Sequence, residues 1–195
     1  MAVLEIRTFP DPILKQRCAD VTAFDADLHQ FLDDMAQTMQ EAEGLGLAAN
    51  QVGRSIRLFL MDVPTGKGKD GQETRTGLLE IINPKLVAKR GEMKWEEGCL
   101  SFPNVYEWVT RSHDIVLQYQ DRHGEPKELK ASGLVAICAQ HEFDHLEGVT
   151  FLDRLSPLKR RLALQSYQRQ NAEALQEAEY RAKKLQRKSA AQSAS

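Results

Sequence analysis

His141, Glu142 and His145 form the spacing H-E-x-x-H. On a helix, residues four apart lie on one face, so two imidazoles can point at a single cation. Glu142 is turned about 100° from His141 and can reach a water on that cation without ligating it. The spacing supplies two metal ligands and one candidate base. It also fits two core histidines with satisfied hydrogen bonds, and both readings stay open on these residues alone. A catalytic centre needs a third protein ligand and an open position. The longer H-E-x-x-H-x-x-G-x-x-H pattern is met at Gly148 but has Phe151 at its last position. Cys99, in Glu97-Gly98-Cys99-Leu100-Ser101-Phe102-Pro103, is the remaining soft candidate. Gly98 and Pro103 are expected to break a strand there and put the thiol on a turn. A lone buried cysteine can also serve as apolar filler.

A second stretch is Gly44-Leu45-Gly46-Leu47-Ala48-Ala49-Asn50-Gln51-Val52-Gly53. Three glycines, two alanines and no charge describe backbone that another group approaches closely. The phosphate-loop pattern is absent. The stretch reads as a helix-to-strand connection or as a substrate-facing wall. In the latter, the Gln51 carboxamide can donate a hydrogen bond.

These residues need a scaffold, and the composition supplies one. The chain has 195 residues, 42% of them hydrophobic, and a mean hydropathy of −0.47. This suits one soluble globular domain with an appendage. The first residues lack the layout of a signal peptide, and no apolar run approaches the ~20 residues of a membrane span. A cytoplasmic location without membrane or DNA partners is expected. Three cysteines, Cys18, Cys99 and Cys138, argue against a disulfide framework. Residues 157–195 carry nine Lys/Arg and three Asp/Glu, whereas residues 1–156 hold 17 basic and 25 acidic residues. A basic appendage on an acidic body suggests an anionic partner such as RNA.

Residues 1–20 read as an extended arm around Pro10 and Pro12. Asp25 is placed to cap a helix to about Glu43, with Leu28, Phe31, Leu32, Met35, Met39 and Ala42 on its buried face. Residues 56–63 read as a strand, and 64–77 as a surface loop or hairpin end. Short strands follow at 78–82, 85–89, 93–97, 105–110, 114–120 and 126–131, with turns at Asn83-Pro84, Arg90-Gly91 and Asp121–Gly124. Ser132 and Gly148 bracket the helix that carries His141 and His145, with Leu134, Ile137 and Cys138 at helical spacing. The expected fold is α+β: short antiparallel sheets packed around a central helix carrying the H-E-x-x-H motif, plus a C-terminal helix. The expected division is a catalytic domain over 1–156, a basic helix over 157–188 and a disordered tail over 189–195. His29, His113 and His123 read as bystanders.

Taken together, Gly44–Gln51, Glu97–Ser101 and Gln140–Gly148 resemble the three signature motifs of the peptide deformylases, in order and spacing. The resemblance extends over residues 1 to about 165. It implies hydrolytic removal of the formyl group from the N-terminal formyl-methionine of newly made proteins. It implies Cys99, His141 and His145 as ligands of one divalent metal, usually Fe(II), which zinc, nickel or cobalt can replace. Water would take the fourth position and Glu142 would be the general acid/base. Gln51 and the backbone N–H of Leu100 would bind the developing oxyanion. The Gly46 backbone would hold the substrate as an added strand.

Leu134, Ile137 and Cys138, with Leu45 opposite, can line an apolar slot for the methionine side chain. Ordinary core packing is the competing reading of each. Glu97 is expected to pair with Arg111 and brace the ligand turn, with Asp144 solvent-facing or bracing. The basic C-terminal helix is a candidate to dock on the ribosome or to be a solvated surface. The competing functions are a metallopeptidase cleaving internal bonds and a non-catalytic metal- or ribosome-binding module. The missing final histidine argues against the first, and the presence of Glu142 and Gln51 against the second.

Overall fold

The computed structural model describes residues 2–172. The Asp25 carboxylate accepts a hydrogen bond from Leu28 N at 3.0 Å. That satisfies an orphan amide and starts helix α1, Ala26–Glu41. Leu28, Phe31, Leu32, Met35 and Met39 are buried along one stripe, joined by Thr38. The helix ends two residues before the expected Glu43. Glu43 takes a left-handed φ of 53°, and Gly44 N returns to Met39 O at 2.9 Å. Ala42 therefore sits at the cap, half-buried, instead of extending the buried face.

Among the described residues nine strands follow: β1 Gly46–Ala48, β2 Leu58–Met61, β3 Pro64–Lys67, β4 Glu73–Arg75, β5 Leu79–Arg90, β6 Met93–Cys99, β7 Phe102–Arg111, β8 Asp114–Gln120 and β9 Pro126–Ser132. Five form an antiparallel sheet in the order β1-β2-β5-β8-β9, and β3–β4 and β6–β7 form two-stranded sheets. Helix α2, Gly133–Leu146, carries the two histidines of the motif. Strand β2 is buried along its whole length. Leu58 and Leu60 pack with α1, whereas Phe59 and Met61 pack with Ala136, Ala139 and Leu146 of α2. Side chains alternate across a strand, so α1 and α2 cover opposite faces of the sheet. This is an α+β fold, with α2 held against the sheet by apolar burial.

Three local expectations are corrected. Residues 78–89 do not make two strands about a turn, because β5 runs through Asn83-Pro84. Its register with β8 shifts between Ile82 and Lys85, and Asn83 has φ 51°. A bulge absorbs the proline, which has no N–H to give. The Asn83 amide bonds both Val21 N and Val21 O at 2.8 Å. Second, the N-terminal arm is not extended throughout. A 3-10 turn at Pro12–Lys15 interrupts it, capped by Asp11. Third, Ser132 occupies the N-cap of α2, but its side chain makes no capping bond.

The end of α2 is as expected. Gly148 has φ 69°, and Val149 N bonds Asp144 O at 2.9 Å. A Cβ on Gly148 would stand 2.5 Å from the Lys15 carbonyl oxygen. The stop glycine is also where the arm crosses the helix end. All of these elements belong to the unit Met1–Leu155. In the second unit, residues 157–172 are helical. The remainder of the expected helix, 173–188, and the tail 189–195 lie outside the described residues.

Candidate metal centre

Strand β6 ends on Cys99, which pairs with Phe102 after a register shift at Gly98. Cys99 is thus the last residue of a strand, not part of a turn. The turn is Leu100-Ser101, and Pro103 lies inside β7, in the stretch displaced by the register shift. From the other side α2 brings His141 and His145, one turn apart on one face. The Cys99 Sγ and one ring nitrogen of each histidine all lie within 4.8 Å of one another. Cys99 Sγ is 3.3 Å from His145 Nε2. His29 and His113 stand elsewhere: His29 Nε2 meets Arg122 O at 2.8 Å, and His113 is exposed beside Asp114. His123 is exposed against His29.

The two rings are oriented by buried partners. His141 Nδ1 is 2.8 Å from Glu97 Oε2, which leaves Nε2 to face Cys99. Glu97 in turn accepts hydrogen bonds from Arg111 Nε and Nη2, the pairing expected of these two residues. Arg111 Nη1 donates to Asp144 Oδ2 at 2.8 Å, and Arg154 Nε donates to the same oxygen at 3.0 Å. Glu97, Arg111 and Asp144 are each about 5% exposed, so Asp144 braces the site and does not face solvent. Burial alone would raise the Glu97 carboxyl; the hydrogen bonds from His141 and Arg111 outweigh it and hold the pKa at about 2.

Glu142 is 4% exposed. Its Oε2 is buried without a hydrogen-bond partner. Burial pushes its carboxyl up to about 7. A Cβ on Gly46 would stand 2.5 Å from Glu142 Oε1. Gly46 is therefore the close-approach residue that lets β1 lie against this carboxylate. Gln51, 2% exposed, is held in one orientation. Its Oε1 accepts from Ala48 N at 2.8 Å, which turns Nε2 toward Cys99 Sγ at 3.5 Å and Ser101 Oγ at 3.1 Å.

A cavity of about 510 Å³ opens onto these groups. Leu45, Leu134, Ile137 and Cys138 line it, as does Leu100 beside Cys99. Core packing and cavity lining are not exclusive. Cys138 is buried in the α2 core cluster, and burial raises its thiol pKa well above the usual range.

Several residues carry the site without having been legible beforehand. Trp95 and Tyr106 also line the cavity. Asn50 donates to His145 O at 2.7 Å, tying the Gln51 turn to α2. Arg154 closes the chain of charges. Phe151, at the position where a third histidine would stand in the longer zinc pattern, instead lays its ring near that of His141, 6.0 Å between centroids and 29° between planes. The only local signals were an aromatic residue two before Glu97, on its face of β6, and an aromatic residue three after Gly148.

A cysteine sulfur and two imidazoles converging beside an unpartnered buried carboxylate, on an α+β scaffold, fit a metal-dependent hydrolase. The comparisons narrow this. The family model described as polypeptide deformylase matches residues 3–161. A peptide deformylase of Syntrophobacter fumaroxidans is 45% identical over 174 residues, 89% of this chain and 99% of that protein. One of Wolinella succinogenes is 49% identical over 159 residues, 82% and 92% of the two chains. The crystal structure of a peptide deformylase from Legionella pneumophila superposes with a TM-score of 0.79 at 37% identity, covering 89% of this chain and 98% of that one. A structure from Ehrlichia chaffeensis in complex with actinonin gives 0.76 at 39% identity, covering 87% and 98%. The chain belongs to the peptide deformylase family. It is a metal-dependent amide hydrolase that removes the formyl group from N-formylmethionyl peptides.

Replacing Arg111 with Ala leaves Glu97 and Asp144 buried without their shared cation. We expect a loss of about 3–5 kcal/mol in urea unfolding. We also expect about 10–100-fold weaker retention of divalent metal against a chelator. Unchanged retention would contradict the bracing role.

Proposed function

We propose that Cys99, His141 and His145 hold one divalent cation, Fe(II) in the cell, and that the residues around them deformylate nascent chains in the cytoplasm. The observation that carries this reading is the donor set within 4.8 Å beside the unpartnered Glu142 Oε2. A mixed thiolate and imidazole set suits iron, zinc, nickel or cobalt and disfavours magnesium or calcium. Bound there, a divalent cation lowers the pKa of a coordinated water toward ~7 and polarises the carbonyl under attack.

Glu142 takes the proton of the attacking water at its free Oε2 and passes it to the departing methionine nitrogen. Its raised pKa suits both halves of that transfer. Gln51 Nε2 and the Leu100 backbone N–H donate to the oxyanion that forms at the formyl oxygen. Each donor contributes about 3 kcal/mol. The carboxamide is poised for this because Ala48 N holds its oxygen. Strand β1 is an edge of its sheet, so Gly46 offers free backbone groups to an extended peptide. The methionine side chain enters the slot of Leu45, Leu134, Ile137 and Cys138, now with Trp95 on its wall. A formyl carbon carries only hydrogen, and a close fit at that point excludes acetyl groups.

The basic segment 157–195 fits a ribosomal RNA surface near emerging chains, on its balance of nine basic to three acidic residues. Deletion of the segment from residue 157 onward is expected to weaken ribosome co-sedimentation, with a shallower dependence on salt. Equal binding of both forms would leave the segment as a solvated surface.

Glu142→Ala is expected to retain one equivalent of metal and lose about 10²–10⁴-fold in formate release from a formyl-Met peptide. Wild type is expected to release formate from that peptide and to leave an acetyl-Met or unblocked peptide intact. Turnover persisting in Glu142→Ala would remove the assigned base. Cleavage of the unblocked peptide would favour a peptidase.

A further inference from the structure

The N-terminal arm crosses the molecule at the two stretches that carry Gln51 and Leu100. Arg7 N donates to Gln51 O at 2.7 Å, and Phe9 N donates to Ser101 O at 3.0 Å. On extended backbone, alternate amides face the same way, about 6.6 Å apart. Residues 7–9 thus present two donors at a set spacing, one to each stretch. The same two stretches also meet directly, with Gln51 Nε2 on Ser101 Oγ at 3.1 Å. The three contacts close a ring through Gln51, the arm and Ser101. Neither stretch shifts against the other without straining one of them.

The arm is itself anchored on both sides of this crossing. Ala2 N bonds Asp34 Oδ1 at 2.7 Å and Leu4 N bonds Thr38 Oγ1 at 2.9 Å, both on α1. Further along, Lys15 pairs with Asp153, and Cys18 N bonds Leu146 O at 2.9 Å, at the end of α2. At the crossing the anchor is aromatic. The half-buried Phe9 ring stacks on that of Phe102, 5.3 Å between centroids and 22° between planes. Phe102 is 1% exposed and directly follows Ser101. The amide and the ring of Phe9 therefore hold adjoining residues. Side-chain substitution leaves a backbone bond available, so the ring is the part of this crossing that a mutation reaches.

We infer that Phe9 is a positioning residue for deformylation: by seating the arm, it sets the spacing between the Gln51 carboxamide and the Leu100 N–H. Phe9 is absent from the lining of the catalytic cavity, so it acts through these two groups and not on substrate. Two donors stabilise an oxyanion only when both aim at one point, and a misplacement of about 1 Å costs up to about 10²-fold in rate. Simple anchoring of the N-terminus would instead lower stability and leave turnover by the folded enzyme unchanged. The inference rests on Gln51 and Leu100 as the oxyanion donors, as given under the proposed function.

The test measures formate release from a formyl-Met peptide, per bound metal ion, well below the unfolding temperature of each variant. Phe9→Ala is expected to lower kcat about tenfold with KM within about twofold of wild type. Phe9→Tyr should keep the wild-type kcat. Leu129→Ala, on β9 at the opposite edge of the five-stranded sheet from β1, is the control for destabilisation and should keep kcat as well. Gln51→Ala alone is expected to lose about 10²-fold. In that background Phe9→Ala should cost less than about twofold, because one of the two groups it spaces is gone.

A kcat for Phe9→Ala within about twofold of wild type overturns the inference. So does a loss carried by KM alone, an equal fall in Leu129→Ala, or a full loss that persists beside Gln51→Ala. Each of these leaves deformylation standing, since wild-type formate release reports it. An undiminished kcat in Gln51→Ala would take down the oxyanion assignment and the inference with it.

Discussion

The hydrogen bond between Glu97 and His141 Nδ1 is the contact on which the site depends. An imidazole can present either nitrogen, and only a fixed acceptor on one decides which faces a metal. The acceptor here is a carboxylate buried away from water, a costly choice unless it is paired. Arg111 pairs it, Asp144 pairs Arg111, and Arg154 returns the line of charges to the surface. The alternating order places an opposite charge beside every buried one. The geometry of the candidate donor set is therefore an electrostatic property of the four side chains that back it.

Around that line, close backbone approaches fix where the elements sit. Gly46 brings β1 against Glu142, Gly98 seats the Tyr106 ring beside Cys99, and Gly148 lets the N-terminal arm cross the end of α2. Each is a contact that one Cβ would destroy. The arm also bonds the Gln51 and Leu100-Ser101 segments, through Arg7 N to Gln51 O at 2.7 Å and Phe9 N to Ser101 O at 3.0 Å. The stretches around the candidate site are thus held from three directions: by α2, by the β6–β7 hairpin and by the arm.

What could be read beforehand follows the range of the interactions. Helix α2 and its histidine pair were legible because helical spacing and a stop glycine are local. The antiparallel strands were legible because alternation and turns are local too. Cys99 became a ligand candidate only beside a helix short of one ligand. Arg154, Phe151 and Asn50 act across elements or beyond a helix end, and no periodicity marks them. At Asn83-Pro84 a strong turn signal was misleading. Pairing with β2 on one edge of β5 and β8 on the other carried the strand through, and a bulge absorbed the strain. The capping Asp11 and Pro12 of the arm's 3-10 turn were a readable signal of the ordinary kind.

The central claim is that one sulfur and two imidazole nitrogens bind a single cation. X-ray absorption on the zinc-loaded protein tests it most directly. The account predicts one sulfur at about 2.3 Å and nitrogen or oxygen neighbours at about 2.0–2.1 Å. The sulfur should vanish in Cys99→Ser and persist in Cys138→Ser. A zinc shell without sulfur, or one whose sulfur survives the loss of Cys99, would contradict it.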